Sequence, residues 1–143
     1  IHRDGSATVY FGKIDGGQGT DVGIAQIVAE ELDLPADRVA IVMGDTGQTV
    51  NQGGASGSTG IPLGGSALRI AAAEARQQLL ALAAKRLNAP VEKLTVSNGV
   101  VSVIDAPGKK VSYGQLIGGK LMNVTLKWNA RSGTRSPSRA RRR

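Results

Sequence analysis

Two glycine-rich stretches hold the residues whose types and spacing could do chemistry: Asp15-Gly16-Gly17-Gln18-Gly19 and Gln52-Gly53-Gly54-Ala55-Ser56-Gly57-Ser58-Thr59-Gly60. In the first, Gly17 and Gly19 let a ligand approach the backbone, and the Gln18 amide offers donors and an acceptor. This stretch precedes a helix that opens near Thr20, where unpaired N–H groups and the positive end of the helix dipole attract anions. The second sets the hydroxyls of Ser56, Ser58 and Thr59 among small residues, a second candidate anion nest. Two such loops in one domain suggest one extended polyanion with two points of attachment. Two tight turns with no ligand would have the same spacing.

Sharper motifs fit the same residues poorly. Gly17-Gln18-Gly19-Thr20-Asp21-Val22-Gly23 approaches a dinucleotide fingerprint, with Asp45 placed after the next strand as a ribose acid. Asp15, however, would repel a pyrophosphate, and the repeated βα units of a doubly wound sheet are missing. The stretch from Gly114 to Lys120 has the glycine and lysine spacing of a phosphate loop, but Leu121 stands where a magnesium-binding hydroxyl is required. Ser56 and Ser58 invite a hydrolase reading, yet the sole histidine, His2, lies at the start of the chain and makes an implausible base. Glu30 and Glu31 are neighbours on a helix and point apart, so a solvated face is favoured over a catalytic pair. With one histidine and no cysteine, a transition metal held by protein ligands is not expected.

The elements that must position the two loops follow from periodicity. Residues 7–14, Ala-Thr-Val-Tyr-Phe-Gly-Lys-Ile, read as a strand after the Asp4-Gly5 turn. A helix from Thr20, its N-cap, to Asp33 carries Ile24, Val28 and Leu32 at a four-residue spacing and ends at Pro35. Residues 39–43 form a short apolar strand, buried on both faces if the sheet is covered. Residues 44–65 are a long loop with eight glycines; a loop of that length in a compact domain is usually functional. Ser66 caps a helix to Leu87, with Leu68, Ala72, Ala75, Leu79 and Leu82 as its apolar stripe.

After Pro90 the period becomes two. Residues 94–103 form a hairpin around a type I′ Asn98-Gly99 turn, pairing Val96 with Val101 and Leu94 with Val103 on the buried face. A short helix over residues 112–117 and a last strand over residues 121–128 follow. The expected class is α+β, a mixed sheet covered on one side by two main helices in a two-layer sandwich.

Length, 143 residues, allows one domain. No apolar run is long enough to cross a bilayer, and no membrane contact is expected. The chain opens on Ile1, which suggests a piece of a longer protein. The net charge of +7 resembles a nucleic-acid signature until it is divided. Residues 1–126 hold 11 Lys/Arg and all 11 Asp/Glu, so the whole excess sits in residues 127–143. Residues 132–143 have almost nothing to bury and read as a basic, disordered tail, a solvated end rather than a nucleic-acid arm.

Gly12-Lys13-Ile14-Asp15-Gly16-Gly17-Gln18-Gly19-Thr20 resembles the glycine–glutamine–glycine motif of the molybdenum hydroxylases, the xanthine dehydrogenase and aldehyde oxidase family. Gln26, Ala29-Glu30-Glu31-Leu32, Pro35, Val39, Gly44-Asp45-Thr46 and Gly54-Ala55-Ser56-Gly57-Ser58 follow in the family's order, and the alanine-rich helix after them is similar too. The similarity spans residues 1–128 and is greatest to the molybdopterin-binding large subunits of isoquinoline 1-oxidoreductase-like enzymes.

The resemblance implies that residues 1–131 are a fragment of a molybdopterin-binding domain. Its cofactor-binding residues would be Gly17, Gln18, Gly19 and Thr20 in one loop and Gly54, Ala55, Ser56, Gly57 and Ser58 in the other. The cofactor would be molybdopterin, in bacterial members usually the cytosine dinucleotide, with molybdenum held by the pterin's dithiolene rather than by protein. The family reaction hydroxylates an aldehyde or a carbon beside a ring nitrogen with oxygen from water. Electrons leave through iron–sulfur clusters on another domain or subunit. Implied partners are therefore the remainder of the large subunit, an iron–sulfur subunit and a small-molecule substrate. The family's catalytic glutamate lies far downstream in a motif that this chain lacks, so no catalytic residue is assigned. The alternative is a non-catalytic phosphate- or dinucleotide-binding module.

Overall fold

The computed structural model describes residues 1–119, so the basic tail and the strand expected over residues 121–128 lie outside the described residues. Among the described residues, five strands and three α-helices follow the α+β order read from the sequence. Strand β1 (Ala7–Phe11) leads through the first glycine loop to helix α1 (Thr20–Leu32), which returns to β2 (Val39–Met43). β1 and β2 are parallel, with Val9 opposite Ile41 and Phe11 opposite Met43. Such a parallel pair needs a crossover element, and α1 is that element.

The second loop is less irregular than its composition suggests. It contains a short 3₁₀ turn at Ser56–Ser58 and a π-helical turn at Gly60–Gly65 that runs directly into α2 (Ser66–Leu87). Ser66 is therefore already inside helical backbone rather than capping it, and its hydroxyl donates back to the Pro62 carbonyl at 2.5 Å. β3 (Leu94–Ser97), β4 (Val100–Val103) and β5 (Ala106–Ser112) form an antiparallel sheet, and α3 (Tyr113–Ile117) closes the described chain. The hairpin has the expected register, Val96 opposite Val101 and Leu94 opposite Val103, because Asn98 (φ 51°) and Gly99 (φ 72°) both take the left-handed conformation its turn requires.

One core joins these parts. Phe11, Ile24, Leu79, Val101 and Tyr113 are fully buried and come from β1, both long helices, β4 and α3. The α1 stripe of Ile24, Val28 and Leu32 is buried as its spacing required. On α2 the buried side is Ala72, Leu79, Leu80 and Ala83, with Leu82 only half-buried. Arg69 and Arg76 of α2 bind Glu31 (3.0 Å) and Asp33 (2.6 Å), tying α2 to the C-terminal end of α1. Glu31 is thus buried and ion-paired rather than part of a solvated face. β2 is not buried on both faces: Val39 faces the core, while Ala40, like Tyr10 of β1, is exposed, because the helices cover one side of the pair.

Candidate functional site

The exit of β1 sets the geometry of both loops. Strand alternation turns Ala7, Val9 and Phe11 inward, and the same period carries Lys13 inward. Gly12 between them has no room for a side chain, since a Cβ there would lie 1.8 Å from the Val50 carbonyl oxygen. Its N–H donates to the Gln52 side-chain oxygen at 2.7 Å, which fixes the start of the second loop against the end of β1. Gly64, in the π-turn, is equally constrained, because a Cβ would meet the Phe11 ring at 2.5 Å. Two close approaches thus hold the loops side by side.

The first loop is shaped by Asp15. One carboxylate oxygen accepts from the N–H groups of Gly17 (2.7 Å) and Gln18 (2.9 Å), the other from Asp21 at 3.2 Å. The anion expected at this helix start is therefore the protein's own, and the cap is not Thr20. Gly19, at φ 73°, occupies the N-cap position, while Thr20 is the first helical residue and is buried against Gly60. Hydrogen bonds from Asp21, Gly17 and Gln18 hold the Asp15 carboxyl below the usual carboxylate range. Its folded-state pKa is lowered, so its contribution to stability is present at neutral pH and is lost as pH falls below 3.8. Asp15→Asn is expected to melt below the wild type at pH 7, with the gap closing as the solution is acidified. A gap independent of pH would contradict this role for the charge.

Gln18 turns its side-chain oxygen back onto the Gly16 N–H at 2.7 Å, which leaves the amide N–H₂ as its outward-facing donor. In the second loop Gly57 (φ 61°) and Ser58 (φ 56°) are both left-handed, and Thr59 donates its hydroxyl to the Ser56 carbonyl at 2.8 Å. Among the described residues, no protein group bonds the hydroxyls of Ser56 and Ser58, and both residues are exposed. Beneath this turn lies Lys13, only 6% exposed, whose ammonium donates to the Gly54 carbonyl at 2.7 Å and reaches the Thr59 hydroxyl at 3.5 Å.

Gln18, Gly19, Thr20, Ala55 and Ser58 line one cleft of about 440 Å³, with Ile14 and Ile61 as its apolar walls. Gly17, Gly54, Ser56 and Gly57 belong to the same loops but do not line it. A larger groove of about 800 Å³ runs along β2, and Asp15, Asp21 and Asp45 all border it. Three acids disfavour a polyanion there. Asp45 is also spent locally, its carboxylate accepting from the Gly47 N–H at 2.9 Å and from the Gln48 amide. The smaller cleft, with amide and hydroxyl donors and no carboxylate in its lining, is the one chemically suited to an anion. Reading the sequence for glycines and hydroxyls finds this cleft's rim but not Lys13, although alternation along β1 marks Lys13 as inward-facing.

Similarity to known proteins bears on what this cleft holds. The pattern of the molybdopterin cofactor-binding domain family matches residues 1–139. A nicotinate dehydrogenase chain of Pseudomonas putida is 43% identical over 120 residues, which is 84% of this chain and 10% of that protein. The beta chain of isoquinoline 1-oxidoreductase from Brevundimonas diminuta is 31% identical over 133 residues, 82% of this chain and 16% of that protein. Among solved structures, reconstituted CO dehydrogenase from Oligotropha carboxidovorans superposes with a TM-score of 0.72 at 31% identity, over 81% of this chain and 14% of that one. The chain thus spans about a tenth to a sixth of the length of these relatives.

Proposed function

The chain belongs to the molybdopterin cofactor-binding domain family, and from that premise we propose that its cleft holds the molybdopterin cofactor, in the cytosine dinucleotide form, within a molybdenum hydroxylase large subunit. The observation that carries this reading is the convergence of Gln18 with Ala55 and Ser58 on one cleft. Its donor set fits a phosphorylated pterin: the Gln18 amide on one side, and on the other the Ser58 hydroxyl, which is free to donate to an anion. Gly17 and Gly19 leave the first rim without side chains, and nothing lies within 4 Å of where their Cβ atoms would be.

When bound, the cofactor supplies the redox chemistry by which an aldehyde or a carbon beside a ring nitrogen gains oxygen from water. This chain's own residues bind and orient it, and the catalytic base, substrate pocket and iron–sulfur clusters belong to the rest of the large subunit or to a partner. Nicotinate dehydrogenase and isoquinoline 1-oxidoreductase both carry nitrogen heterocycles in their names, which favours that substrate class. CO dehydrogenase shares the fold, which suits a domain that grips the cofactor and leaves substrate choice to other segments. Residues 1–131 act as a cofactor-gripping piece with no turnover of their own, and residues 132–143 add nothing to the grip. The competing reading, a phosphate- or dinucleotide-binding module without catalysis, is disfavoured by the oxidoreductase names of its relatives nicotinate dehydrogenase and isoquinoline 1-oxidoreductase.

Gln18→Ala in the large subunit is expected to weaken cofactor retention by about 1–2 kcal/mol, the loss of one hydrogen bond to a charged or polar group. Molybdenum and pterin per protein, measured after purification, check it. Wild-type content in the variant would remove Gln18 from the site.

A further inference from the structure

Lys13 is a buried cation with no anion of its own among the described residues. All 11 acidic side chains of the protein lie within the described residues. The carboxylates in ion pairs there are those of Glu30, Glu31, Asp33 and Asp105, on Arg69, Arg76 and Lys93. Lys13 pairs with none of them; its partners are a neutral carbonyl and a neutral hydroxyl. Taking an ammonium out of water costs several kcal/mol unless a negative charge offsets it. A fold that keeps this charge under its ligand loop gains from it only when an anion arrives.

The hydrogen bond to Gly54 adds direction. The peptide joining Gly54 to Ala55 is planar and trans, so the Ala55 N–H points opposite to the Gly54 carbonyl. With the carbonyl drawn down onto Lys13, that N–H points away from the lysine, and Ala55 is a residue of this turn that lines the cleft. The ammonium also polarises the peptide and strengthens the outward donor. We propose that Lys13 is a positioning residue for the anionic part of the cofactor: it supplies the counter-charge from beneath the turn and aims the Ala55 N–H outward at the ligand.

This rests on the cofactor reading, and the test separates the two. In the holoenzyme whose large subunit contains this domain, Lys13→Met and Lys13→Gln are compared with wild type by pterin content, by the rate of cofactor release on dilution, and by the melting temperature of the cofactor-free protein. Removing a buried charge should leave the cofactor-free protein as stable as before or more so. Release should nonetheless become at least tenfold faster in Lys13→Met, and less so in Lys13→Gln, which retains a neutral donor. Unchanged release in both variants overturns the proposal. So does a lower melting temperature of the cofactor-free protein in both, because Lys13 would then serve only the fold. Wild-type protein purified without any pterin would instead overturn the cofactor reading itself.

Discussion

Gly12→Ala is expected to cost at least ~3 kcal/mol of stability, because the new methyl would have to occupy the space of a backbone oxygen. The ideal Cβ lies 1.8 Å from the Val50 carbonyl oxygen and 2.9 Å from Cγ of Gln52. Neither neighbour can yield cheaply. Gly12 donates to the Gln52 side chain at 2.7 Å and accepts from the Gln52 N–H at 3.4 Å, so the segment that must retreat is the one bonded to it. Retreat would also part the two loops, so pterin content should fall with the urea midpoint. Gly108→Ala is the control: nothing lies within 4 Å of its Cβ position, and it should be silent. An unchanged midpoint for Gly12→Ala would mean that the second loop does not pass over the end of β1.

The second large effect is confined to alkaline solution. The Tyr113 ring is fully buried, and its hydroxyl has no hydrogen-bond partner among the described residues. Burial pushes its pKa from 10.0 up to about 12, with Asp33 nearby acting in the same direction. The folded state therefore holds the phenolic proton more tightly than the unfolded chain does. The corresponding stability is intact below pH 10 and is lost as pH rises toward 12, by roughly 3 kcal/mol in all for a shift of about two pH units. Tyr113→Phe removes both the orphaned hydroxyl and the titration. It should be neutral or slightly stabilising at pH 7, and it should outlast the wild type between pH 10 and 12. Parallel pH curves for the two proteins would show that the hydroxyl is not buried unionised.

Which parts of this molecule are legible in its sequence depends on how local their causes are. The hairpin register is, because Asn98-Gly99 admits one tight turn and that turn fixes every pairing after it. The α1 stripe is too, since Ile24, Val28 and Leu32 are large and regularly spaced. In α2, alanine is spread around the helix, and the buried side is settled by neighbours that the sequence does not reveal, bringing Leu80 and Ala83 in ahead of Leu82. β5 escapes a sequence reading because Pro107-Gly108-Lys109-Lys110 carries loop chemistry; among the described residues it is an exposed edge strand, where proline and lysine are at home.

The site shows the same division. Glycines and hydroxyls mark the rim wherever they occur, so the two loops stand out. Which acceptor takes the N–H groups of Gly17, Gln18 and Asp21 is a matter of three-dimensional reach, and Asp15, which the sequence presents as a source of repulsion, is the residue that takes them. Lys13 is hidden for a related reason: charge suggests solvent, and only the strand's alternation says otherwise.

Asp15 also bears on the order of events during assembly. Because an internal carboxylate braces the Gln18 corner, that rim keeps its form without help from any visitor. A late-arriving guest would meet a finished socket on one side and lose little entropy in seating there. Loading could then follow synthesis and folding, with delivery into an already built protein rather than a chain wrapping itself around its cargo.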